Sequence, residues 1–339
     1  MPKKAGTNGN QIVEKVIKTI NKFNLIESGD KLVLGVSGGP DSIAMLNILH
    51  EICHSNSEPM ALVVAHINHM IREEANDDEE FVRKFCKNKN IEFYFKRINV
   101  KELANNMKIG TEEAGRIARY EFFDEVMKKT GANKIAIAHN KNDNVETIIM
   151  NAMRGTGISG LKGIEAKRDN FIRPLIECDR QEIEDYCEKE QLKPRIDKTN
   201  FENEYTRNKI RNVAIPYIKR EFNPNIINTL NRLAELIREE DKYIEKQVQI
   251  AYDEVKIEEK EREIVLDLKL FNRQEKVIKS RVILYTITRL FKTTKGIEKI
   301  HVEDIIKLCE NNIGNKYLTP NKKTKILVKN HKIYFLNEM

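Results

Sequence analysis

Residues 37–42 read Ser-Gly-Gly-Pro-Asp-Ser, a run of small, polar and rigid side chains. An apolar segment precedes them at residues 32–36, and residues 43–49 follow with the apolar spacing of a helix. This order predicts a strand, a tight loop and a helix N-terminus. Free backbone N–H groups and the positive end of the helix dipole bind phosphate at such a junction. Gly38 and Gly39 lack a Cβ, so the backbone can approach an anion closely.

The loop is neither of the two most familiar phosphate-binding motifs. A Walker A loop needs a lysine after its last glycine, and none follows here. A dinucleotide-binding loop needs the pattern G-x-G-x-x-G, which is also missing. The loop resembles instead the S-G-G-x-D-S loop of the PP-loop ATP pyrophosphatases, which implies that it binds the pyrophosphate end of ATP. The candidate ATP-binding residues are Ser37, Gly38, Gly39, Pro40, Asp41 and Ser42, with the two serine hydroxyls as further donors.

A second carboxylate follows another apolar segment. Residues 134–139 predict a strand, and Asp143 falls at the start of the next helix. ATP chemistry needs Mg²⁺, which prefers carboxylates that bridge to phosphate oxygens. Asp41 and Asp143 come from neighbouring strand ends, so they are the candidate magnesium ligands and catalytic carboxylates. The alternative role for Asp143 is a helix cap.

Basic side chains form the third group of candidates. His69 and Arg72 follow the second predicted strand, where the base, ribose or phosphates of a nucleotide lie. Arg116 lies on a helix with another arginine three residues further on, and Arg207 precedes Arg211 by four residues. Paired arginines on one helix face suit forked hydrogen bonds to phosphates.

Arg154 opens a loop with three glycines, which predicts a segment that approaches a ligand closely or moves.

Other residues of this group have explanations that need no ligand. A salt-bridge face with Glu202 and Glu204 explains the paired arginines at 207 and 211 without a ligand. His66 is expected to be a packed histidine at the end of a strand. No third His or carboxylate stands beside it at metal-ligand spacing, so zinc is not predicted.

Alternating strands and helices predict an α/β fold with a doubly wound, mostly parallel sheet whose ligands lie at the carboxyl ends of its strands. The character of the sequence changes after residue 215, where long helical periodicities and three short strands follow. We therefore expect a catalytic, ATP-binding domain at residues 1–215 and a mostly helical domain with a small β element at residues 216–339. A helix is expected to begin at Thr111 as its N-cap, and another at about Asn144.

Composition favours a cytoplasmic enzyme. The chain has 339 residues, which exceeds the usual size of a single hydrophobic core. Its five cysteines form no C-x-x-C pair, so neither a zinc site nor a disulfide framework is predicted. No apolar run approaches the length of a membrane span, and the first residues lack the apolar core of a secretory signal. We expect no membrane partner.

The net charge of +7 lies mostly in the second predicted domain. A basic surface beside an ATP site suggests a polyanionic partner such as RNA. A solvated, lysine-rich surface explains the same charge equally well.

Taken together, the motifs resemble those of the tRNA(Ile)-lysidine synthases. The matching segments, in the order of that family, are residues 37–42, 66–72, 112–120, 139–147, 154–155, 173–175 and 197–212. The resemblance implies an adenine nucleotide alpha hydrolase-like fold and a ligase that uses ATP and Mg²⁺. Enzymes of that family adenylylate the C2 carbonyl oxygen of the wobble cytidine in tRNA(Ile) with a CAU anticodon, and L-lysine then displaces AMP from C2. The helical domain would hold the tRNA backbone, and a homodimer is implied.

The resemblance also assigns residue roles. Arg116, Arg207 and Arg211 match positions associated with ATP or tRNA, and His69, Arg72 and Arg154 are further candidates for tRNA or substrate binding. Asp143 matches a carboxylate of the substrate site, a role that competes with magnesium binding. The chain resembles shorter members that lack a further C-terminal domain for the acceptor stem.

Three other functions remain at this stage. A tRNA 2-thiolation enzyme of the same superfamily needs paired cysteines for sulfur or an iron–sulfur cluster, and the sequence has none in C-x-x-C spacing. A small-molecule amide ligase such as NAD synthetase does not need a basic helical domain. A catalytically silent nucleotide-binding or RNA-binding module does not need the intact loop together with Asp143.

Overall fold

The structure is a computed structural model that describes residues 8–55, 60–70, 75–195, 205–294, 296–311, 317–321 and 324–337. The chain forms two compact units, Met1–Glu235 and Leu236–Met339. The division follows Glu235, whereas the sequence analysis places a boundary at residue 215. Residues beyond 215 belong to the first unit because Ile215 and Ile227 pack there with Val145 in a small core.

The first unit alternates strands and helices along most of its length. Its elements are α1 (Asn8–Phe23), β1 (Lys31–Gly35), α2 (Pro40–Ser55), β2 (Ala61–Asn68), α3 (Ala75–Asn88), β3 (Glu92–Arg97), α4 (Val100–Met107), α5 (Thr111–Thr130), β4 (Lys134–Ile137), α6 (Lys141–Met153), α7 (Ile158–Leu161), β5 (Lys167–Arg168), β6 (Phe171–Ile172), α8 (Arg180–Lys189), α9 (Thr206–Lys209), a π-helical turn (Ile210–Ala214), α10 (Ile215–Glu221) and α11 (Ile226–Val255), which continues into the second unit.

The sheet of this unit has six strands in the order β3-β2-β1-β4-β6-β5. All neighbouring strands are parallel except β5 and β6, which pair antiparallel at the edge. The strand order reverses at β1, which lies between β2 and β4. Such a switch point opens a crevice at the carboxyl ends of the strands. The predicted doubly wound, mostly parallel α/β fold is confirmed.

Helices cover both faces of the central strand. Leu32 and Leu34 of β1 are buried in a core with side chains of α1, α2 and α8. Val33 points to the opposite face, because side chains alternate along a strand, and packs there with Phe122 and Phe123 of α5. Gly35 ends the strand beneath Phe123, whose ring leaves only 2.5 Å for an added Cβ. This covered strand places the following loop on a rigid base.

Two helix starts differ from the sequence prediction. Thr111 is the first residue of α5, and Gly110 is its N-cap. Helix α6 begins at Lys141, three residues before the predicted start, with Asn140 as its N-cap. Asn140 is a stronger cap than the residues after it because its side-chain oxygen accepts the N–H of Asp143 at 3.0 Å. Helix α4 is absent from the sequence analysis.

The second unit contains a larger sheet than the small β element predicted. Its further elements are β7 (Lys256–Glu259), β8 (Glu263–Asp267), α12 (Leu268–Arg273), α13 (Lys276–Phe291), α14 (Lys299–Glu310), β9 (Tyr317–Asn321), β10 (Thr324–Lys329) and β11 (Lys332–Asn337). The sheet is antiparallel, in the order β7-β8-β11-β10-β9. It packs against helices through a core that includes Tyr252, Phe271 and Phe335.

Strands β7 and β9 lie at the edges of this sheet, and the sequence analysis missed both. Edge strands face solvent on more sides, so charged residues and proline replace the apolar alternation. Strand β7 has the sequence KIEE, and β9 contains Pro320. Among the described residues, no helix has the length and apolar character needed to cross a membrane.

Candidate active site

A cavity of about 1120 Å³ opens in the first unit where the chain leaves β1, β2 and β4. Its walls include residues that follow each of these strands and others from α8 and the segment after it. The lining residues with chemical groups of interest are Ser37, Asp41, Ser42, His66, His69, Arg119, His139, Asp143, Arg180, Arg195 and Arg211. The cavity therefore occupies the switch point of the sheet, which is the expected ligand site of such a fold.

The loop at residues 37–42 forms one wall of the cavity. Gly38 has a φ of +97°, a backbone conformation that glycine adopts without strain. Its carbonyl accepts the N–H of Arg195 at 3.0 Å, so the segment after α8 is fastened to the loop. Helix α2 begins at Pro40, within this segment, and its first residues Pro40, Asp41 and Ser42 line the cavity. The arrangement is that of an anion-binding helix N-terminus.

Ser42 holds the loop in shape. Its Oγ accepts the backbone N–H groups of Ser37 and Gly38, both at 3.2 Å. The Ser42 hydroxyl then donates to the carbonyl of Gly39 at 2.9 Å. The sequence analysis expects this hydroxyl to be a donor to phosphate, but its hydrogen is used inside the loop. Ser37 is exposed; its Oγ lies 3.2 Å from Ser42 Oγ and accepts the N–H of Gly39 at 3.4 Å.

We expect Ser42→Ala to weaken ATP binding by about 10- to 100-fold, because two N–H groups lose their shared acceptor and the loop relaxes. The measurement is calorimetric titration of the full chain with a non-hydrolysable ATP analogue. Ser37→Ala is the matched comparison on the same loop: it removes the Ser37 contacts with Ser42 Oγ and the Gly39 N–H but leaves Ser42 Oγ as the shared acceptor, so we expect a change below about threefold. Equal losses in both variants would contradict this role for Ser42.

Asn140 joins the two carboxylates predicted at this site. Its side-chain amide donates to Asp41 Oδ1 at 2.8 Å. Its backbone N–H donates to Asp143 Oδ2 at 3.1 Å, completing a capping box at the start of α6. Asp143 is thus both a helix-capping residue and a residue of the cavity wall, so the two roles weighed in the sequence analysis coexist.

Electrostatics distinguishes the two carboxyl groups. Burial, together with the negative charge of Asp143, raises the pKa of Asp41 to about 6. Arg180 and Arg211 oppose this increase. Burial and a neighbouring negative charge disfavour the ionised carboxylate, and a bound cation would stabilise it. A raised pKa in a cavity wall is typical of functional sites, so Asp41 stays a candidate site residue.

A buried ion-pair network lies behind Asp143. Arg211 donates to both oxygens of Glu146, at 2.5 and 2.9 Å, and to Asp143 Oδ1 at 2.9 Å. Arg207 lies 3.6 Å from Glu146 and donates to Thr147 Oγ1 at 2.9 Å. The Glu146 side chain is only 1% exposed, and its burial raises the pKa of the carboxyl while Arg211 opposes that effect. The arginine pair predicted to bind phosphate thus makes ion pairs across to α6.

The other predicted residues fall in different places. His69 lies in the cavity wall, where Arg119 approaches its Nε2 to 3.5 Å, and burial lowers the pKa of His69 to about 4. Arg116 is exposed on α5 and lies over the ring of Tyr120. Arg154 is exposed at the far end of α6, away from the cavity. Arg72 lies outside the described residues, as do Glu202 and Glu204.

Several cavity residues were not candidates from the sequence. His66 is 2% exposed, and its Nδ1 donates to the carbonyl of Val36 at 2.8 Å. Its Nε2 has no hydrogen-bond partner among the described residues, although the ring lines the cavity. His66 is therefore packed as expected, and it also lines the cavity. Two further residues, Asn140 and Glu146, lie next to the cavity wall and were not predicted to belong to the site. Their partners Asp41 and Arg211 come from distant positions in the chain.

The carboxylate pair fits a divalent cation. Burial and the negative charge of Asp143 raise the pKa of Asp41, and a cation between the two carboxylates would relieve the second of these effects. In the described ranges, no group of three or more His, Cys, Asp or Glu side chains forms a metal site by itself. Two carboxylates are sufficient for Mg²⁺ when substrate phosphates and water supply the remaining oxygens.

Comparison with known proteins agrees with this geometry. A family model described as a PP-loop domain matches residues 9–218, which places the fold and the phosphate loop in that class. The tRNA(Ile)-lysidine synthase of Caldanaerobacter subterraneus subsp. tengcongensis is 43% identical over 91% of this chain and 66% of the relative. That of Clostridioides difficile is 43% identical over 96% of this chain and 71% of the relative. The chain belongs to the tRNA(Ile)-lysidine synthase family and spans about two thirds of the length of these curated relatives.

A solved structure extends the comparison of the fold. The U34-tRNA thiolase NcsA from Methanococcus maripaludis superposes with a TM-score of 0.57 at 21% identity. The match covers 68% of this chain and 80% of that chain. At this identity the likeness concerns the fold alone.

Proposed function

We propose that this chain ligates L-lysine to C2 of the wobble cytidine of tRNA(Ile) with a CAU anticodon, using ATP. The observation that supports this most strongly is the cavity at the sheet switch point. Its lining includes residues of the loop at 37–42 together with Asp41, Asp143 and Arg211, and Arg211 is ion-paired with the buried Glu146 behind the wall. Family membership supplies the substrate class.

The first step makes the cytosine reactive. The C2 carbonyl oxygen attacks the α-phosphorus of ATP, an O–P bond forms, and pyrophosphate departs with the electron pair of the broken P–O bond. The loop at residues 37–42 holds that pyrophosphate through backbone N–H groups and the N-terminus of α2. Asp41 and Asp143 would hold Mg²⁺, which neutralises phosphate charge and orients the leaving group. The cytidine must leave its stack to reach the cavity.

The second step replaces AMP by lysine. The lysine ε-ammonium group first gives a proton to solvent. The neutral amine then attacks C2, the C2–O bond breaks, and AMP leaves with the former C2 oxygen. Asp143, which lines the cavity, provides negative charge that attracts the ammonium group, while Glu146 lies buried behind it with both oxygens bound by Arg211. Arg211 donates hydrogen bonds to both carboxylates and fixes their positions, so they need not reorient during the reaction. Arg207 and Arg116 are further candidates for contacts with nucleotide or tRNA phosphates.

The experiment is mass spectrometry of anticodon nucleosides after incubation of the full chain with ATP, Mg²⁺, tRNA and isotopically labelled lysine. We expect the wobble cytidine to gain the mass of lysine with loss of water. Release of pyrophosphate and AMP should require both tRNA and lysine. Pyrophosphate release with nicotinate adenine dinucleotide and ammonia, and none with lysine and tRNA, would contradict the proposal.

The raised pKa of Asp41 gives a pH dependence. Below about pH 6 the carboxyl is protonated and attracts a cation less well, so the affinity for Mg²⁺–ATP should be constant above about 6 and fall at lower pH. Calorimetric titration at about pH 5 and about pH 8 measures the change. The nucleotide phosphate also titrates near pH 6. Asp41→Asn retains that contribution and lacks the carboxyl, so it should show a weaker pH dependence; identical profiles would contradict the role of Asp41.

A further inference from the structure

Arg173 is a buried arginine whose function is not explained so far. It directly follows β6 and is 6% exposed. Its Nη1 donates to the carbonyl of Glu165 at 2.7 Å, and its Nε donates to His139 Nδ1 at 3.1 Å. His139 follows β4, and its ring lines the cavity. A buried guanidinium is thus directed at a histidine of the candidate active site.

This contact determines where the histidine carries its hydrogen. An arginine has only N–H donors and stays protonated, so the Nδ1 of His139 must act as the acceptor. A neutral imidazole with an acceptor at Nδ1 carries its single hydrogen at Nε2. Burial lowers the pKa of His139 to about 4, the charge of Arg173 acts in the same direction, and Asp143 opposes it. The ring therefore remains neutral at physiological pH.

His66 shows the opposite arrangement in the same cavity. Its Nδ1 lies 2.8 Å from the carbonyl oxygen of Val36, which accepts only, so Nδ1 carries the hydrogen. Burial lowers the pKa of His66, so this ring is neutral as well and its Nε2 is an acceptor. The two histidines therefore carry their hydrogens on different nitrogens: His139 on Nε2 and His66 on Nδ1.

We propose that His139 donates a hydrogen bond from Nε2 to a substrate oxygen that gains negative charge or bonds to phosphorus, and that Arg173 is the positioning residue that fixes this tautomer. The acceptor is an oxygen of the α-phosphate or the C2 carbonyl of the cytosine, an identification that rests on the proposed function. Because Nδ1 is occupied by Arg173, His139 does not act as a general base.

The first test measures the tautomers and needs no activity. Long-range ¹⁵N–¹H spectra of the full chain with ¹⁵N-histidine should show His139 protonated at Nε2 and His66 at Nδ1. Arg173→Met should convert His139 to a mixture of tautomers and leave His66 unchanged. Arg168→Met, at an exposed arginine of the neighbouring strand β5, is the control and should change neither ring. A wild-type His139 protonated at Nδ1, or at both nitrogens at neutral pH, would overturn the proposal.

The second test locates the acceptor. Affinity for an ATP analogue is measured without tRNA, and kcat and KM are measured with tRNA, for His139→Leu and His139→Gln. Loss of analogue affinity by about tenfold in His139→Leu identifies the phosphate oxygen, whereas a tenfold loss of kcat at unchanged affinity identifies the cytosine oxygen. The glutamine amide replaces the Nε2–H donor and should restore part of either loss. Unchanged affinity and unchanged kcat in His139→Leu would overturn the proposal.

Discussion

Asp143→Asn should reduce lysidine formation by about 10²- to 10⁴-fold while the fold survives. The substitution removes one negative charge from the cavity wall at nearly constant volume. The asparagine oxygen can still accept the N–H of Asn140, so the capping box of α6 is largely retained. The single oxygen cannot also keep the hydrogen bond from Arg211, so we expect a loss of unfolding free energy of about 1–2 kcal/mol. Steady-state kinetics with tRNA and lysine, beside denaturant unfolding, separate the two effects.

Asp179→Asn is the matched control for this experiment. Asp179 is the N-cap of α8 and, like Asp143, stands at a helix start in the first unit. It does not line the large cavity. We expect its substitution to leave turnover within about twofold of wild type, with a stability change below about 1 kcal/mol, because Asn and Asp are nearly equal N-caps. Wild-type turnover in Asp143→Asn would leave Asp143 with its capping role alone.

Arg211→Met should destabilise the protein by about 3–5 kcal/mol, because it leaves the carboxylate of Glu146 buried without its principal cation. Glu146 accepts two hydrogen bonds from this guanidinium. The double variant Glu146→Gln/Arg211→Met should recover most of the lost stability, since the buried charge is then absent. The double variant should remain inactive, because Asp143 loses the arginine that holds it in place. Chemical unfolding of the full chain measures stability, and labelled lysine transfer measures activity.

Arg207→Met provides the control for this second prediction. Arg207 approaches the same carboxylate to 3.6 Å, but its side chain is 33% exposed. Its removal should lower stability by about 1 kcal/mol or less. If the double variant is no more stable than Arg211→Met, the buried charge of Glu146 is not the source of the instability, and the account of this network is wrong.

The phosphate loop could be predicted from sequence because its information is local. Residues 37–42 contain the glycines, the carboxylate and the helix start within one turn of chain, and the flanking apolar segments define the strand and helix. Asp143 was found for the same reason, since it follows a strand end. The internal use of the Ser42 hydroxyl was not predictable, because it depends on the three-dimensional path of Gly38 and Gly39.

The partners of the buried network could not be predicted from sequence. Arg211 and Glu146 are far apart in the chain, and the nearer glutamates at 202 and 204 offered a simpler ion-pair explanation. The contact of Arg173 with His139 likewise joins the ends of two neighbouring strands, β6 and β4. Periodicity indicates which strands exist, but it does not give the side-chain directions that join them at the cavity.

The most direct measurement is a crystal structure of the full chain with a non-hydrolysable ATP analogue and Mg²⁺. We expect the triphosphate to contact the backbone N–H groups of Gly39 and of the first turn of α2, with the α-phosphate on the side of Asp143 and His139. A nucleotide bound elsewhere, or a phosphate loop blocked by its own side chains in the complex, would contradict the account.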